Sequence, residues 1–113
     1  MSSLFEKKCI PCRGGTPHLV LEQIQQYLSQ VEGWNLEEQE GHHQIIKEHK
    51  FRDFKEALTF VNKVGEIAEQ EGHHPNIYLY SYNKVRLTLY THAIGGLHEN
   101  DFIFAAKVDA LSK

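Results

Sequence analysis

The chain has 113 residues, 41% hydrophobic and 24% charged, with a formal charge of −3 when its eight histidines are neutral. Such a composition suits one globular domain, and its slight acidity offers a polyanion no basic stripe, which argues against direct nucleic-acid binding. No apolar run approaches the ~18 residues of a membrane span, and Met1–Lys8 lacks the apolar core of a secretory signal, so a cytoplasmic location with reduced cysteines is expected.

Residues 1–15 read as an irregular N-terminal arm, punctuated by Pro11, Gly14 and Gly15 and carrying Cys9 and Cys12 in a C-x-x-C pattern. Residues 16–113 read as a single domain. Thr16 followed by Pro17 is a helix-start signal, with Thr as cap and Pro at the first helical position. From His18 to about Gln30 the apolar residues Val20, Ile24, Tyr27, Leu28 and Val31 approximate one helical face, which Gly33 ends. Trp34–Glu38 and His42–Lys50 predict two strands joined by a turn at Glu40 and Gly41.

Phe51–Glu71 is the clearest element. Phe54, Ala57, Leu58, Val61, Val64, Gly65 and Ala68 fall three and four apart, the stripe of an amphipathic helix. Asp53 can cap its start and Gly72 can stop it. Ile77–Tyr82 and Lys84–His92 predict a hairpin about Tyr82 and Asn83. In its second strand Val85, Leu87 and Leu89 face one way, while Arg86, Thr88, Tyr90 and His92 face the other. A last helix is expected from Glu99 to Leu111, with Phe102, Ala105 and Ala106 as core contacts.

The order helix, strand, strand, helix, strand, strand, helix predicts an α+β fold: a four-stranded antiparallel sheet with helices packed on one face. The uncovered face, the sheet edges and the aromatic strand residues Tyr78, Tyr80, Tyr82 and Tyr90 favour self-association.

The chemistry concentrates at Glu69, His73, His74 and Pro75, with His92 at the predicted end of a strand. Histidine both donates and accepts protons near neutrality, its unperturbed pKa being about 6.5. Pro75 forces His74 out of helical geometry, so the neighbouring imidazoles diverge and can meet different edges of a flat ligand. Glu69, one helical turn before His73, can fix an imidazole tautomer. If the hairpin brings His92 beside them, three imidazoles line one cleft and can serve as donor and acceptor in proton-transfer chemistry such as dehydration. The sequence offers no obvious nucleophile, phosphate-binding glycine loop or nucleotide-binding motif. On the motif alone, a structural helix cap with a surface histidine is an equally good reading.

Glu69-x-x-x-His73-His74-Pro75, the run Tyr82, Asn83, Lys84, Val85, the pair Thr91-His92, and Gly96-Leu97-x-x-x-Asp101-Phe102 resemble the pterin-4a-carbinolamine dehydratases. Gly33-Trp34 and Phe51-x-Asp53-Phe54-x-x-Ala57 are similar as well. The resemblance spans roughly residues 19–110. It implies removal of water from 4a-hydroxytetrahydrobiopterin to give quinonoid dihydrobiopterin, as in tetrahydrobiopterin recycling, with no metal and no organic cofactor. It further implies that His73, His74 and His92 are catalytic and that Glu69 supports His73. His73, His74, Pro75, Thr91, His92, Ala93 and Ile94 would border the pterin. His74 and His92 are the favoured acid–base pair.

Two departures from the family pattern bear on structure. The Pro75–Lys84 segment is one residue longer than in the vertebrate type, which predicts a bulge or longer turn. His98 stands where Ser or Thr usually caps the last helix, and a poorer cap costs about 1 kcal/mol.

The partners expected are a small-molecule pterin and further copies of the chain, as a homodimer or homotetramer, with no nucleic acid bound directly and no membrane. The resemblance also allows a non-catalytic binding or assembly module of the same fold, since some members assist transcription-factor dimerisation or Rubisco assembly. Cys9 and Cys12 could form half a zinc site with His18 or with His42 and His43, but a lone C-x-x-C without a second matched pair favours a reduced thiol pair in a loose arm. Trp34 is expected in the core rather than against the ligand, Lys84 and Arg86 as solvated charges, and the four strand tyrosines in packing or an interface.

Overall fold

The computed structural model describes residues 4–10 and 17–111. Its elements are a 3-10 turn at Leu4–Glu6, α1 (Leu21–Leu28), β1 (Asn35–Gln39), β2 (His42–Lys50), α2 (Phe54–Glu71), β3 (Asn76–Tyr80), β4 (Lys84–Leu89), a second 3-10 turn at His92–Ile94, and α3 (Glu99–Ala110). The strands form one antiparallel sheet in the order β1-β2-β4-β3, so the two central strands come from different hairpins. Alternation in β4 is complete: Val85, Leu87 and Leu89 are fully buried, while Lys84, Arg86 and Thr88 are half-buried on the other face. Ile45 lies opposite Leu89 and is buried with them. The helices cover this face, as the α+β reading expects.

Asp53 caps α2 by accepting the Glu56 N–H at 2.8 Å, and Gly72 ends it in the left-handed region, φ 64° and ψ 29°. The buried face of α2 differs from the stripe read in the sequence. It consists of Ala57, Phe60, Val64 and Ala68, whereas Phe54 and Leu58 stay 48% and 41% exposed. Phe60 sets this rotation, its ring packing at 4.6 Å from His49 and 5.0 Å from Phe51 between centroids. Spacing alone does not distinguish two faces one residue apart when both carry apolar side chains.

Three boundaries also move. α1 begins at Leu21 rather than Pro17, because Leu19 N–H bonds the Leu97 carbonyl at 2.8 Å and keeps the preceding chain extended; the expected cap Thr16 lies outside the described residues. Val20, expected on the helix face, instead precedes the helix, its N–H bonded to the Gln23 side chain at 3.0 Å. β4 ends at Leu89, three residues before His92. The β3–β4 turn centres on Ser81 and Tyr82, both in the left-handed region at φ 47° and 56°. Asn83 then locks onto Phe51 through bonds of 2.8 and 3.0 Å. Three residues, 81–83, thus join β3 to β4.

α3 is buried on more than one side, with Phe102, Ile103, Phe104, Ala105 and Val108 inaccessible. Trp34 is buried as expected and donates its Nε1–H to Asp109 at 2.9 Å, a carboxylate that also pairs with Lys47 at 2.9 Å. The arm is not loose over residues 4–10. Leu4 is buried in the core, Lys107 donates to the Phe5 carbonyl at 3.0 Å, and Lys7 pairs with Glu99 at 2.7 Å, so this segment lies along α3. No helix among the described residues is long and apolar enough to cross a membrane.

Candidate active site

Gly72 begins the site. Its left-handed geometry turns the chain out of α2, and the His73 N–H still reaches the Ala68 carbonyl at 3.2 Å. A side chain at 72 would strain this turn. His73 then points inward, its side chain 12% exposed, and its Nε2 lies 2.6 Å from Asp101 Oδ1. His74, held extended by Pro75, points outward at 62% exposure, with Nε2 2.6 Å from Glu69 Oε2. The diverging imidazoles expected from the proline are present, but the pairing differs from the one implied by resemblance. Glu69 supports His74, and the partner of His73 is Asp101.

Asp101 is fully buried and has three partners: His73, the Thr91 hydroxyl, which donates to Oδ2 at 2.9 Å, and the His98 N–H, at 3.0 Å. One carboxylate thus ties the segment after α2, the end of the β4 segment and the start of α3 together. His98 proves a working cap, since its Nδ1 accepts the Asn100 N–H at 3.1 Å. The expected penalty for lacking Ser or Thr there does not arise, because an imidazole nitrogen is itself an acceptor.

His92 leads a 3-10 turn rather than ending a strand. The Thr91 and Gly96 backbones bridge each other at 2.8 and 3.4 Å, closing the neck of the loop that carries His92. The neck is tight: a Cβ on Gly96 would lie 2.8 Å from the His18 Cβ. Tyr90 directs the imidazole, its hydroxyl 3.3 Å from His92 Nδ1, while its ring stacks on His42 at 4.4 Å between centroids.

His73, His74 and His92 line one hollow of about 250 Å³, together with Gly72, Tyr90, Thr91, Ala93, Asn100 and, from the arm, Ile10. A neighbouring hollow of about 210 Å³ shares His74, Tyr90 and His92 and adds Asn76 and Thr88. Of the border residues read from the sequence, Thr91 and Ala93 line the three-histidine hollow, whereas Pro75 and Ile94 line neither hollow. Tyr90, Asn100, Asp101 and Ile10 were missed as site residues. Asp101 stood in the motif and Tyr90 two residues before His92, but nothing local to Ile10 marks it. A larger hollow of about 410 Å³ lies elsewhere, between the start of α2 and Leu111. Its lining contains no histidine, and its Arg52 and Glu56 are already paired at 3.1 Å, so it offers no comparable chemistry. Among the described residues no three His, Cys, Asp or Glu side chains group as metal ligands; Cys12 lies outside them.

The fold and site define an α+β domain whose antiparallel sheet and helix ends present a histidine-lined hollow. The family pattern described as Pterin 4 alpha carbinolamine dehydratase matches residues 17–111, and the chain belongs to that family. A provisionally named pterin-4-alpha-carbinolamine dehydratase of Alkaliphilus metalliredigens is 52% identical over 110 residues, covering 96% of each chain. One of Rubrobacter xylanophilus, named in the same way, is 46% identical over 98% of this chain and 100% of its own. Among solved structures, a protein titled transcriptional coactivator/pterin dehydratase from Brucella melitensis superposes with a TM-score of 0.75 at 31% identity, covering 85% of this chain and 99% of its own. A pterin dehydratase-like protein described as a RuBisCO assembly factor in the alpha-carboxysome gives 0.60 at 27% identity, over 72% of this chain and 90% of its own.

Proposed function

We propose that the protein dehydrates 4a-hydroxytetrahydropterins, including 4a-hydroxytetrahydrobiopterin in tetrahydrobiopterin recycling. The observation that carries this reading is the convergence of His73, His74 and His92 on one hollow. His74 and His92 are each held at one ring nitrogen, by Glu69 and Tyr90, which leaves the other nitrogen for the substrate. One imidazolium gives its proton to the 4a-hydroxyl as the C4a–O bond breaks and water leaves. The other imidazole, neutral, takes the proton from N5, and the N5 electron pair closes the C4a=N5 double bond. The reaction balances with no oxidant or metal. His73, clamped to buried Asp101, orients the ring rather than exchanging protons.

A stopped-flow dehydration assay tests this. General acid–base catalysis contributes about 10²–10⁴-fold, so His74→Ala and His92→Ala should each lower turnover on that scale while the domain stays folded. A wild-type protein no faster than the uncatalysed reaction overturns the proposal. A second reading, an assembly module, draws on the exposed apolar pair Phe54 and Leu58 on α2 and on the coactivator and assembly-factor roles named for the two structural neighbours. It requires that Phe54→Ser with Leu58→Ser abolishes a partner-dependent role that the histidine variants spare.

A further inference from the structure

The arm contributes a wall to the site. Ile10 lines the three-histidine hollow, although more than 60 residues separate it from any other lining residue. Its backbone is fixed by Asn100, which is buried: Oδ1 accepts the Ile10 N–H at 3.0 Å and Nδ2 donates to the Ile10 carbonyl at 2.6 Å. The preceding Cys9 N–H bonds Glu71 Oε1 at 2.8 Å, and Glu71 is itself paired with Lys107 at 3.5 Å. With its main chain satisfied in this way, Ile10 offers the hollow only an apolar side chain, 60% exposed. An exposed isoleucine whose backbone is anchored by a buried amide is costly to leave in water and suited to covering a ligand.

The two hollows have different ends. Asn76 and Thr88 belong to one alone, and Ile10, Gly72 and Ala93 to the other, together with His73, Thr91 and Asn100. The polar groups of these last three already bond Asp101 and the Ile10 backbone. His74, Tyr90 and His92 border both hollows. A pterin has the same division. Its reacting atoms, C4a and N5, lie at the middle of the bicycle, its amino and oxo groups at one end, and its C6 substituent at the other. Resting on the dehydratase reading, which seats C4a and N5 between His74 and His92, the polar pyrimidine edge matches Asn76 and Thr88. The C6 substituent then falls against Ile10. We infer that Ile10, held by Asn100, is a specificity-determining residue that favours pterins with a compact apolar C6 substituent.

The test measures binding and turnover side by side. Dissociation constants of 6-methyl-7,8-dihydropterin and 7,8-dihydrobiopterin, whose C6 group is a dihydroxypropyl chain, are determined by fluorescence titration for the wild type, Ile10→Ala and Asn100→Ala. An apolar group leaving a pocket wall changes affinity by about three- to tenfold when contact is partial. Ile10→Ala should therefore weaken the 6-methyl ligand by about that factor and dihydrobiopterin by less than about twofold. In turnover of the corresponding 4a-hydroxytetrahydropterins, which carry the leaving hydroxyl, KM should follow the same split with kcat held. Asn100→Ala, which leaves the Ile10 side chain in place but unanchored, should shift the ratio in the same direction; if it does not fold, Ile10→Ala decides alone. Equal effects on both ligands, or none, overturn the inference. A wild type that binds neither pterin overturns it together with the dehydratase reading. A wild type that binds both without turnover removes only the catalytic reading, and the binding ratio still decides.

Discussion

Replacing Asp101 by Asn should damage fold and turnover together. The carboxylate takes three donors, the His73 imidazole at 2.6 Å, the Thr91 hydroxyl at 2.9 Å and the His98 N–H at 3.0 Å. A carboxamide keeps one acceptor oxygen. Placed where Oδ2 now lies, it retains Thr91 and His98 but turns an N–H₂ group towards His73 Nε2. Either two donors then face each other, or His73 moves its proton to Nδ1 and inverts its tautomer. Losing one charge-assisted bond in a buried site costs about 1.5–3 kcal/mol. At about 4 °C per kcal/mol for a domain of this size, that lowers Tm by about 6–12 °C. Misplacement of the His73 imidazole should reduce kcat by about ten- to a hundredfold. Differential scanning calorimetry and stopped-flow dehydration, run below the melting range of the variant, read the two effects separately. A variant that melts with the wild type and turns over at the wild-type rate would refute the assignment of Asp101 as the clamp.

His49 should make stability pH-dependent. Burial, with the Lys47 charge acting in the same sense, holds its imidazole below the usual histidine range, and among the described residues neither ring nitrogen makes a hydrogen bond of normal geometry. Between its folded value and the unfolded value near 6.5, the unfolded chain binds the extra proton, so this contribution to stability is present above about pH 6.5 and fades as pH falls below it. His49→Phe should accordingly raise Tm more at pH 5 than at pH 8; an equal change at both would count against the argument. Cys9 should be a sluggish thiol, since burial and the neighbouring Glu71 carboxylate push it up to about 12. At pH 8 only about one Cys9 in 10⁴ would then be thiolate. With Cys12 replaced by Ser, iodoacetamide should label native protein far more slowly than urea-unfolded protein, and equal rates would sink this reading.

The parts legible in the sequence were those written in local pattern. β2 was bounded correctly from His42 to Lys50, β4 showed its alternation, and α2 carried its cap at Asp53 and its stop at Gly72. Pro75 announced that His73 and His74 would diverge. What escaped depended on tertiary choice. Phe60 rather than Phe54 faces the core because His49 and Phe51 receive its ring. The strand bearing His92 stops early because Thr91 pairs with Gly96 and bonds Asp101. Glu69 sat one turn before His73, yet Gly72 turns that residue inward to Asp101 and leaves Glu69 for His74. Ile10 is held at the site by the Asn100 side chain, which no periodicity reports.

The placement of Asp101 means that fastening the last helix and holding the His73 imidazole draw on the same two oxygen atoms. The first turn of α3 also anchors residues 7–10 through Glu99 and Asn100. On the proposed function, filling the histidine cleft should make residues 7–10 lie down more firmly. Slower amide exchange at Cys9 and Ile10 would be its outward sign.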